Sequence, residues 1–378
     1  MNFCERARVW AALALALLVP GPAWAARDRL LFRFCPAGRC GDNPFCVVVD
    51  GDLFRPPRPV GGAALSGGPG ADPEQTLSSA LRSEDRVDES AFSALWDPSE
   101  PAGQRDRLSG PPAGRPRGLV MTWIDQELLY GPFILYAMTY GQSPAGGERD
   151  VATLARKGKA WYLSNAPVFS RADGLFQMIR SLLLIPDKDA GMEESALDEA
   201  GFRALTGTAG TLVESFHALG DGTQPHPLLS VARGRVFDPP EAVDWTDPSG
   251  DSLESVIASL YKACKAGDLA KVAALLDRQP NAHAGATDRR LEQMFKAVSP
   301  SRYGLLEKAW VTRIVHYGPY ALAFTRNSVG GAPVEDWLLF RRGTRGWRLA
   351  VDPDRECRLV LAYLAGGLPA YPKVLPLY

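Results

Sequence analysis

The chain repeats itself, and this internal similarity constrains its fold more than any other feature of the sequence. Residues 122–140 (TWIDQELLYGPFILYAMTY) resemble residues 309–327 (AWVTRIVHYGPYALAFTRN) without a gap. Trp123 matches Trp310 at an offset of 187 residues (310 − 123), and both segments carry Tyr-Gly-Pro at the matching place. A repeat of this kind predicts two copies of one structural unit.

Two further matches extend the repeat on either side. Downstream, RKGKAWYLSNAP parallels RGTRGWRLAVDP; upstream, VVVDGDLFRPPRPV parallels LSVARGRVFDPPEAV, which pairs Phe54 with Phe237 at an offset of 183 (237 − 54). Offsets that drift by so little are hard to obtain by chance. We therefore predict a first repeat unit over residues 26–186, a linker region over 187–227 and a second unit over 228–378.

Each copy begins with helices. In the second copy, Asp251 and Glu254 form a capping-box pattern, Gly267 predicts the end of that helix, and Asp268 predicts the start of the next. In the first copy, Asp72 is the expected cap. The apolar stripe of the second copy has helical spacing and comprises Leu253, Val256, Ile257, Leu260, Tyr261 and Cys264.

Strands follow the helices in both copies. In the second copy, β-rich runs over 307–317 and 320–325 are split by Gly-Pro, and runs over 337–341 and 347–351 flank a glycine-containing hairpin loop. A final apolar helix completes each unit. The first copy also carries an insertion over residues 98–118 that is rich in Pro, Gly and Arg and that we expect to be mobile.

The first 25 residues have the pattern of a signal peptide. Arg6 and Arg8 precede an uncharged apolar run over 9–19, and residues 23–25 (Ala-Trp-Ala) supply a small-x-small cleavage site. The run is too short to span a bilayer comfortably, although an uncleaved anchor is the alternative. We predict a periplasmic or secreted protein with no membrane span after cleavage. The richness in Ala, Gly and Arg is typical of a GC-rich bacterium.

Five cysteines remain after the predicted cleavage, and an oxidising compartment favours disulfides. Cys35, Cys40 and Cys46 are close enough for one local disulfide; free thiols and a metal site are the alternatives. Zinc is disfavoured because its sites prefer tighter cysteine spacing and a fourth ligand. Cys264 and Cys357 lie on the apolar stripes of two helices expected to pack near one sheet. We predict a disulfide between them, with two buried thiols as the alternative.

The second copy resembles the nuclear transport factor 2-like superfamily, which includes polyketide-cyclase-like and ketosteroid-isomerase-like domains. The resemblance lies in DSLESVIASLYKACKAGDLAKVAALLD and EDWLLFRRGTRGWRLAVD, and it reaches the first copy only through the repeat. It implies an α+β fold of two duplicated cone-shaped units, each a curved antiparallel sheet wrapped by helices. Members of the family include isomerases, dehydratases, cargo binders and structural modules, so the fold does not select an activity.

Ionisable residues on the strand face expected to line the cone are the candidates for catalysis. Strand alternation places Trp123, Asp125 and Glu127 on one face in the first copy, and Trp310 and His316 on the matching face in the second. Asp125 and Glu127 could form an acid/base pair, or could be the solvated side of an edge strand. His316 could shuttle protons or lie in the core. Both tryptophans, with His316, are candidate ligand contacts.

The two copies differ at these ionisable positions, so a shared active site is not expected. The chain has 42 basic and 43 acidic residues, so its net charge is close to zero. It therefore lacks the excess of positive charge that is typical of nucleic-acid-binding proteins. We find neither a metalloprotease motif nor a phosphate-binding Gly-Lys loop, and predict no metal and no cofactor. The leading interpretation is an exported, non-catalytic envelope protein that binds a small ligand or a protein partner through one or both cones. The alternative is an isomerase, dehydratase or hydrolase with a single active cone.

Overall fold

The structure is a computed structural model dominated by strands. Of the residues it describes, 52% are in strands and 26% in helices. The predicted signal peptide, Cys40 and most of the predicted insertion at 98–118 lie outside the described residues. The described residues are 28–35, 43–60, 68–86, 88–100, 121–143, 147–165, 174–175, 178–180, 183, 192–217, 226–245, 251–277, 305–350 and 357–366.

The strands form one 13-stranded antiparallel sheet. Its main path runs β13-β12-β11-β10-β9-β2-β3-β4-β5-β6, while β1 pairs with β2 and β7, and β8 pairs with β9. The strands are β1 (Arg29–Phe34), β2 (Phe45–Pro59), β3 (Met121–Tyr130), β4 (Phe133–Gly141), β5 (Glu148–Lys157), β6 (Ala160–Leu163), β7 (Met192–Leu197), β8 (Thr211–Phe216), β9 (Leu228–Ala242), β10 (Leu306–Tyr317), β11 (Tyr320–Val329), β12 (Ala332–Gly343) and β13 (Gly346–Leu349).

The helices begin and end close to the predicted signals. The Ser252 hydroxyl, one residue beyond the predicted cap, accepts a hydrogen bond from the Ser255 N–H at 3.1 Å. Gly267 ends that helix at φ 66°, and Asp268 caps the next one, as predicted. The helices with full bounds are α1 (Pro73–Arg86), α2 (Glu89–Ala94), α3 (Glu199–Thr206), α4 (Leu253–Ala266), α5 (Leu269–Leu275) and α6 (Arg358–Ala365). Within the described part of the chain, no helix is long and apolar enough to cross a membrane.

The predicted fold class, two separate cone-shaped α+β units wrapped by helices, is wrong. The two copies share one sheet because β2 and β9 pair with each other, with Cys46 opposite Val231 and Val48 opposite Leu229. The stretch 187–227, predicted as a linker, contains β7, α3 and β8. Its two strands pair with β1 and β9, so this stretch widens the sheet instead of spacing two domains.

The order of elements repeats on the two sides of the β2–β9 junction. We call β1–β6 with α1 and α2 the first half, β8–β13 with α4 to α6 the second half, and β7 with α3 the connecting segment. Both halves carry a bulge at the matching place, between Ile124 and Gln126 in β3 and between Val311 and Arg313 in β10. The segments aligned in sequence thus occupy matching strands.

Each Tyr-Gly-Pro turn contacts the other half. The Gly131 N–H, in the β3–β4 turn, donates to the His226 carbonyl oxygen at 2.9 Å, just before β9. The Gly318 N–H, in the β10–β11 turn, donates to the Asn43 carbonyl oxygen at 2.9 Å, just before β2. The two glycines have φ angles of 55° and 52°, a left-handed conformation that favours this residue. The contacts between the halves are therefore reciprocal.

The apolar core has two faces, because side chains alternate along each strand. Tyr320 and Leu322 point into a cluster that spans both halves and includes residues of α6. Ala321 and Ala323 point to the opposite face, into a cluster with α4. A third cluster lies beneath α1 in the first half and includes Leu77. The halves are thus joined by a common core as well as by strand pairing.

The predicted disulfide between Cys264 and Cys357 is wrong. The two sulfur atoms are not bonded to each other. Cys264 packs in the α4 cluster and Cys357 in the cluster on the opposite face, so the assumption that both helices cover the same face was incorrect. Burial raises the pKa of the Cys264 thiol to about 12. Cys46 is also a buried thiol, which leaves the local disulfide as a prediction for Cys35 and Cys40.

Candidate functional site

The bulge in β3 separates the predicted acid/base pair. Asp125 accepts a hydrogen bond from the Thr139 hydroxyl at 2.6 Å, and Thr139 lies opposite Trp123. Glu127 lies opposite Tyr136, whose side chain belongs to the cluster beneath α1. Because the extra residue shifts the alternation, Asp125 and Glu127 face opposite sides of the sheet. They do not form a pair.

Glu127 instead belongs to a polar group beneath α1. Glu127 is only 6% exposed, and Arg58, which is close enough to interact with its charge, donates a hydrogen bond to Glu74. Burial raises the pKa of the Tyr136 phenol far above its ordinary range, and the carboxylates of Glu127 and Glu74 raise it further. In the second half the pair matching Glu127 and Tyr136 is Ile314 and Ala323, so this polar group belongs to one half only.

The other predicted site residues remain in their own halves. Trp123 is buried in β3, whereas Trp310 is partly exposed in β10 opposite Arg326. His316 is half-buried, with its ring centroid 5.9 Å from that of Trp347. Burial lowers the pKa of His316, the Glu254 carboxylate opposes this shift, and the Arg342 guanidinium adds to it. His316 therefore lies beside the Trp347 ring. Among the residues that the structure describes, no carboxylate forms a hydrogen bond with it.

The sheet face beneath α4 is filled by side chains. Tyr261 projects from α4 into the cluster on that face and is almost fully buried. Its hydroxyl is 2.8 Å from the Thr325 hydroxyl, so its polar atom has a partner inside the core. Burial raises the pKa of Tyr261 to about 12. These side chains pack against one another as part of the core. The space in which a ligand was expected to bind is therefore occupied.

A groove of about 310 Å³ lies at the central strands β2 and β9, where the two halves meet. Residues of β1, β2, β8 and β9 form it together with the end of α3 and the turn that follows. Both halves and the connecting segment therefore contribute to one site. The lining residues are Arg33, Pro44, Cys46, Leu205, Thr208, Thr211, Val231, Ala232 and Arg233.

The groove combines an apolar floor with two guanidinium groups. Arg33 is 3.8 Å from Glu193, and its side chain is 45% exposed. The Nη1 atom of Arg233 donates to the Ala209 carbonyl oxygen at 2.7 Å. Cys46 lies on the floor, where burial raises the pKa of its thiol to about 11 although the Arg33 charge opposes the shift. The thiol is therefore neutral at pH 7, and the net charge of the lining is positive.

Sequence patterns did not identify this groove. Arg33 and Arg233 are ordinary strand arginines, and they come together only because β2 pairs with β9. A usable signal lay in the stretch taken as a linker, where Asp198 precedes a short helical pattern. The Asp198 carboxylate caps α3 by accepting from the Gly201 N–H at 2.7 Å. Recognising that helix would have shown that the stretch is structured.

Comparisons with known proteins supply no further assignment. No protein-family model, curated protein or solved structure matches this chain. Within the described residues, no group of three or more His, Cys, Asp or Glu side chains is placed to hold a metal ion. The resemblance to the nuclear transport factor 2-like superfamily thus remains a proposal based on two sequence segments.

Cys46 is expected to react slowly with iodoacetamide in the folded protein. The raised pKa, about 11 against an ordinary 9.0, leaves about a hundredfold less thiolate at pH 8. Mass spectrometry after timed labelling measures the rate, and the urea-unfolded chain serves as the control. Labelling of Cys46 at the same rate in the folded and unfolded chains would contradict the buried position.

Proposed function

We propose that this chain is an exported, non-catalytic binding protein that holds a small ligand in the groove between its halves. The observation that carries the proposal is the composition of the groove, which is built from both halves and the connecting segment. Its volume lies at the small end of the range for ligand sites, roughly 300–1,000 Å³. Packed side chains beneath α1 and α4 favour this location over the predicted cones.

A groove-filling substitution tests the proposal. Thr211→Phe places a ring in the groove from β8, whereas Ser215→Phe places it on the same face of the same strand, away from the lining residues. Native mass spectrometry of protein purified from its source should find a retained small molecule in the wild type and in Ser215→Phe. Thr211→Phe should lack it. Retention by Thr211→Phe would exclude the groove as the binding site.

Export is tested at the predicted cleavage site. The mature chain is expected to begin at Ala26, which N-terminal sequencing of the extracytoplasmic fraction will show. Ala25→Asp should block processing, because a charged residue replaces the small residue that precedes the cut. Recovery of the full-length chain from wild-type cells, with Met1 at its start, would contradict a cleaved signal.

The second candidate function, an enzyme active in the first half alone, is favoured by one observation. Glu127 is a buried carboxylate beside Tyr136, and the matching positions of the second half hold no ionisable group. A screen for isomerase, dehydratase and hydrolase turnover tests it. Any turnover found should be lost in Glu127→Gln and kept in Thr211→Phe; the opposite pattern would exclude this candidate.

A further inference from the structure

We infer that the ligand of the groove carries an anionic head group, a carboxylate or a phosphate, held between Arg33 and Arg233. This inference rests on the proposed function, because it names the chemistry of the molecule bound at the same site. The lining includes two arginines and no acidic residue. Within the lining no acidic side chain compensates this charge, whereas an anionic head group would.

The strand register places the two arginines on the same face. Arg33 lies opposite Cys46, which lies opposite Val231, and Arg233 follows Val231 by two residues. Leu31, two residues before Arg33, packs with Cys46 and Val231 in one cluster, which fixes the common face. From strand spacing and rise, the Cα atoms of the two arginines are about 12 Å apart. Two long guanidinium side chains can converge on one small anion across that distance.

Both guanidinium groups have hydrogen-bond donors to offer. The contact of Arg33 with Glu193, at 3.8 Å, joins two side chains that are 45% and 59% exposed, and such pairs contribute little. Arg233 uses Nη1 on a backbone carbonyl. A guanidinium has five N–H donors in a planar fork suited to carboxylate and phosphate oxygens. The contacts that hold the two arginines in place therefore leave N–H donors of both guanidinium groups available for an anion.

The rest of the lining defines the other end of the ligand. Pro44, Leu205, Val231 and Ala232 are apolar, and Cys46 carries a neutral thiol. No negative charge on the floor therefore competes with the anion near pH 7. The lining thus fits a compact molecule with an anionic head and a short apolar part.

Matched substitutions on β9 test the two arginines. Arg235 has the same strand face as Arg233, but its guanidinium lies 4.4 Å from the ring centroid of Phe237 and it does not line the groove. Isothermal titration with inorganic phosphate, butanoate and neutral butanamide supplies the binding constants. We expect Arg33→Gln and Arg233→Gln each to weaken binding of the anion by about tenfold or more. Arg235→Gln should leave it unchanged.

The probes distinguish the two head groups. Binding of butanoate over butanamide supports a carboxylate, and binding of phosphate alone supports a phosphate head. The inference is overturned if butanamide binds as well as butanoate, or if both Gln variants bind like the wild type. If the molecule retained by the wild type is then neutral and Thr211→Phe lacks it, the proposed function stands without this inference. If Thr211→Phe keeps its ligand, the proposed function fails as well.

Discussion

Replacing Gly234 with alanine is expected to destabilise the folded chain by about 3 kcal/mol or more. A Cβ atom there would lie 2.3 Å from the Ile314 carbonyl oxygen and 2.5 Å from a Leu212 methyl carbon. The carbonyl belongs to the neighbouring strand β10, so it cannot retreat without disturbing the pairing of β9 and β10. Gly51 holds the matching place in β2, with the Glu127 carbonyl oxygen 2.1 Å from its Cβ position, and Gly51→Ala should behave alike.

Urea unfolding followed by circular dichroism measures this effect. Gly343→Ala is the matched control, because a Cβ at that strand glycine meets nothing within 4 Å. Its effect should stay within about 0.5 kcal/mol. Equal stabilities for Gly234→Ala and Gly343→Ala would mean that β9 and β10 do not approach each other as closely as the structure shows.

Tyr363→Ala is expected to cost about 3–5 kcal/mol. The Tyr363 ring is fully buried on α6, with its centroid 5.3 Å from that of Phe45 and 6.2 Å from that of Phe216. Phe45 belongs to the first half and Phe216 to the second. Truncating Tyr363 therefore removes contacts that join the halves and leaves a cavity in their common core.

Thermal unfolding of Tyr363→Ala should show one transition, shifted to lower temperature, because a shared core makes the halves unfold together. Leu359→Ala on the same helix is the control: Leu359 is 47% exposed, so its truncation should cost much less. Two separate transitions, of which only one moves, would show that the halves are independent domains.

Local patterns predicted the helices of the second half well. The stripe from Leu253 to Cys264 is buried as its spacing indicates, and Gly267 and Asp268 mark the boundary between α4 and α5. Each of these signals depends on residues within a few positions of one another. The internal repeat also aligned Tyr130 with Tyr317, which precede matching turns of the sheet.

The partners of the strands could not be predicted in the same way. An apolar run such as Phe45–Val49 is compatible with any buried strand, and nothing in it specifies β9 as the neighbour. The bulges had a similar effect on the candidate site. A single extra residue at Asp125 or Thr312 reverses the face of every later side chain, so simple alternation assigned Glu127 to the wrong side.

The reciprocal contacts at Gly131 and Gly318 are those of a two-fold symmetric dimer. In an isolated half, the N–H of the turn glycine would lose its hydrogen-bond acceptor. The central strand, β2 or β9, would lose its pairing partner. Joining two units in one polypeptide keeps each unit at a high effective concentration near the other. It also allows the two units to differ in sequence, which the subunits of a homodimer cannot do. Asp50 and Arg233 hold matching positions with opposite charges. An identical pair would place the same residue on both sides of its axis, whereas this fused chain can support one asymmetric, positively charged groove.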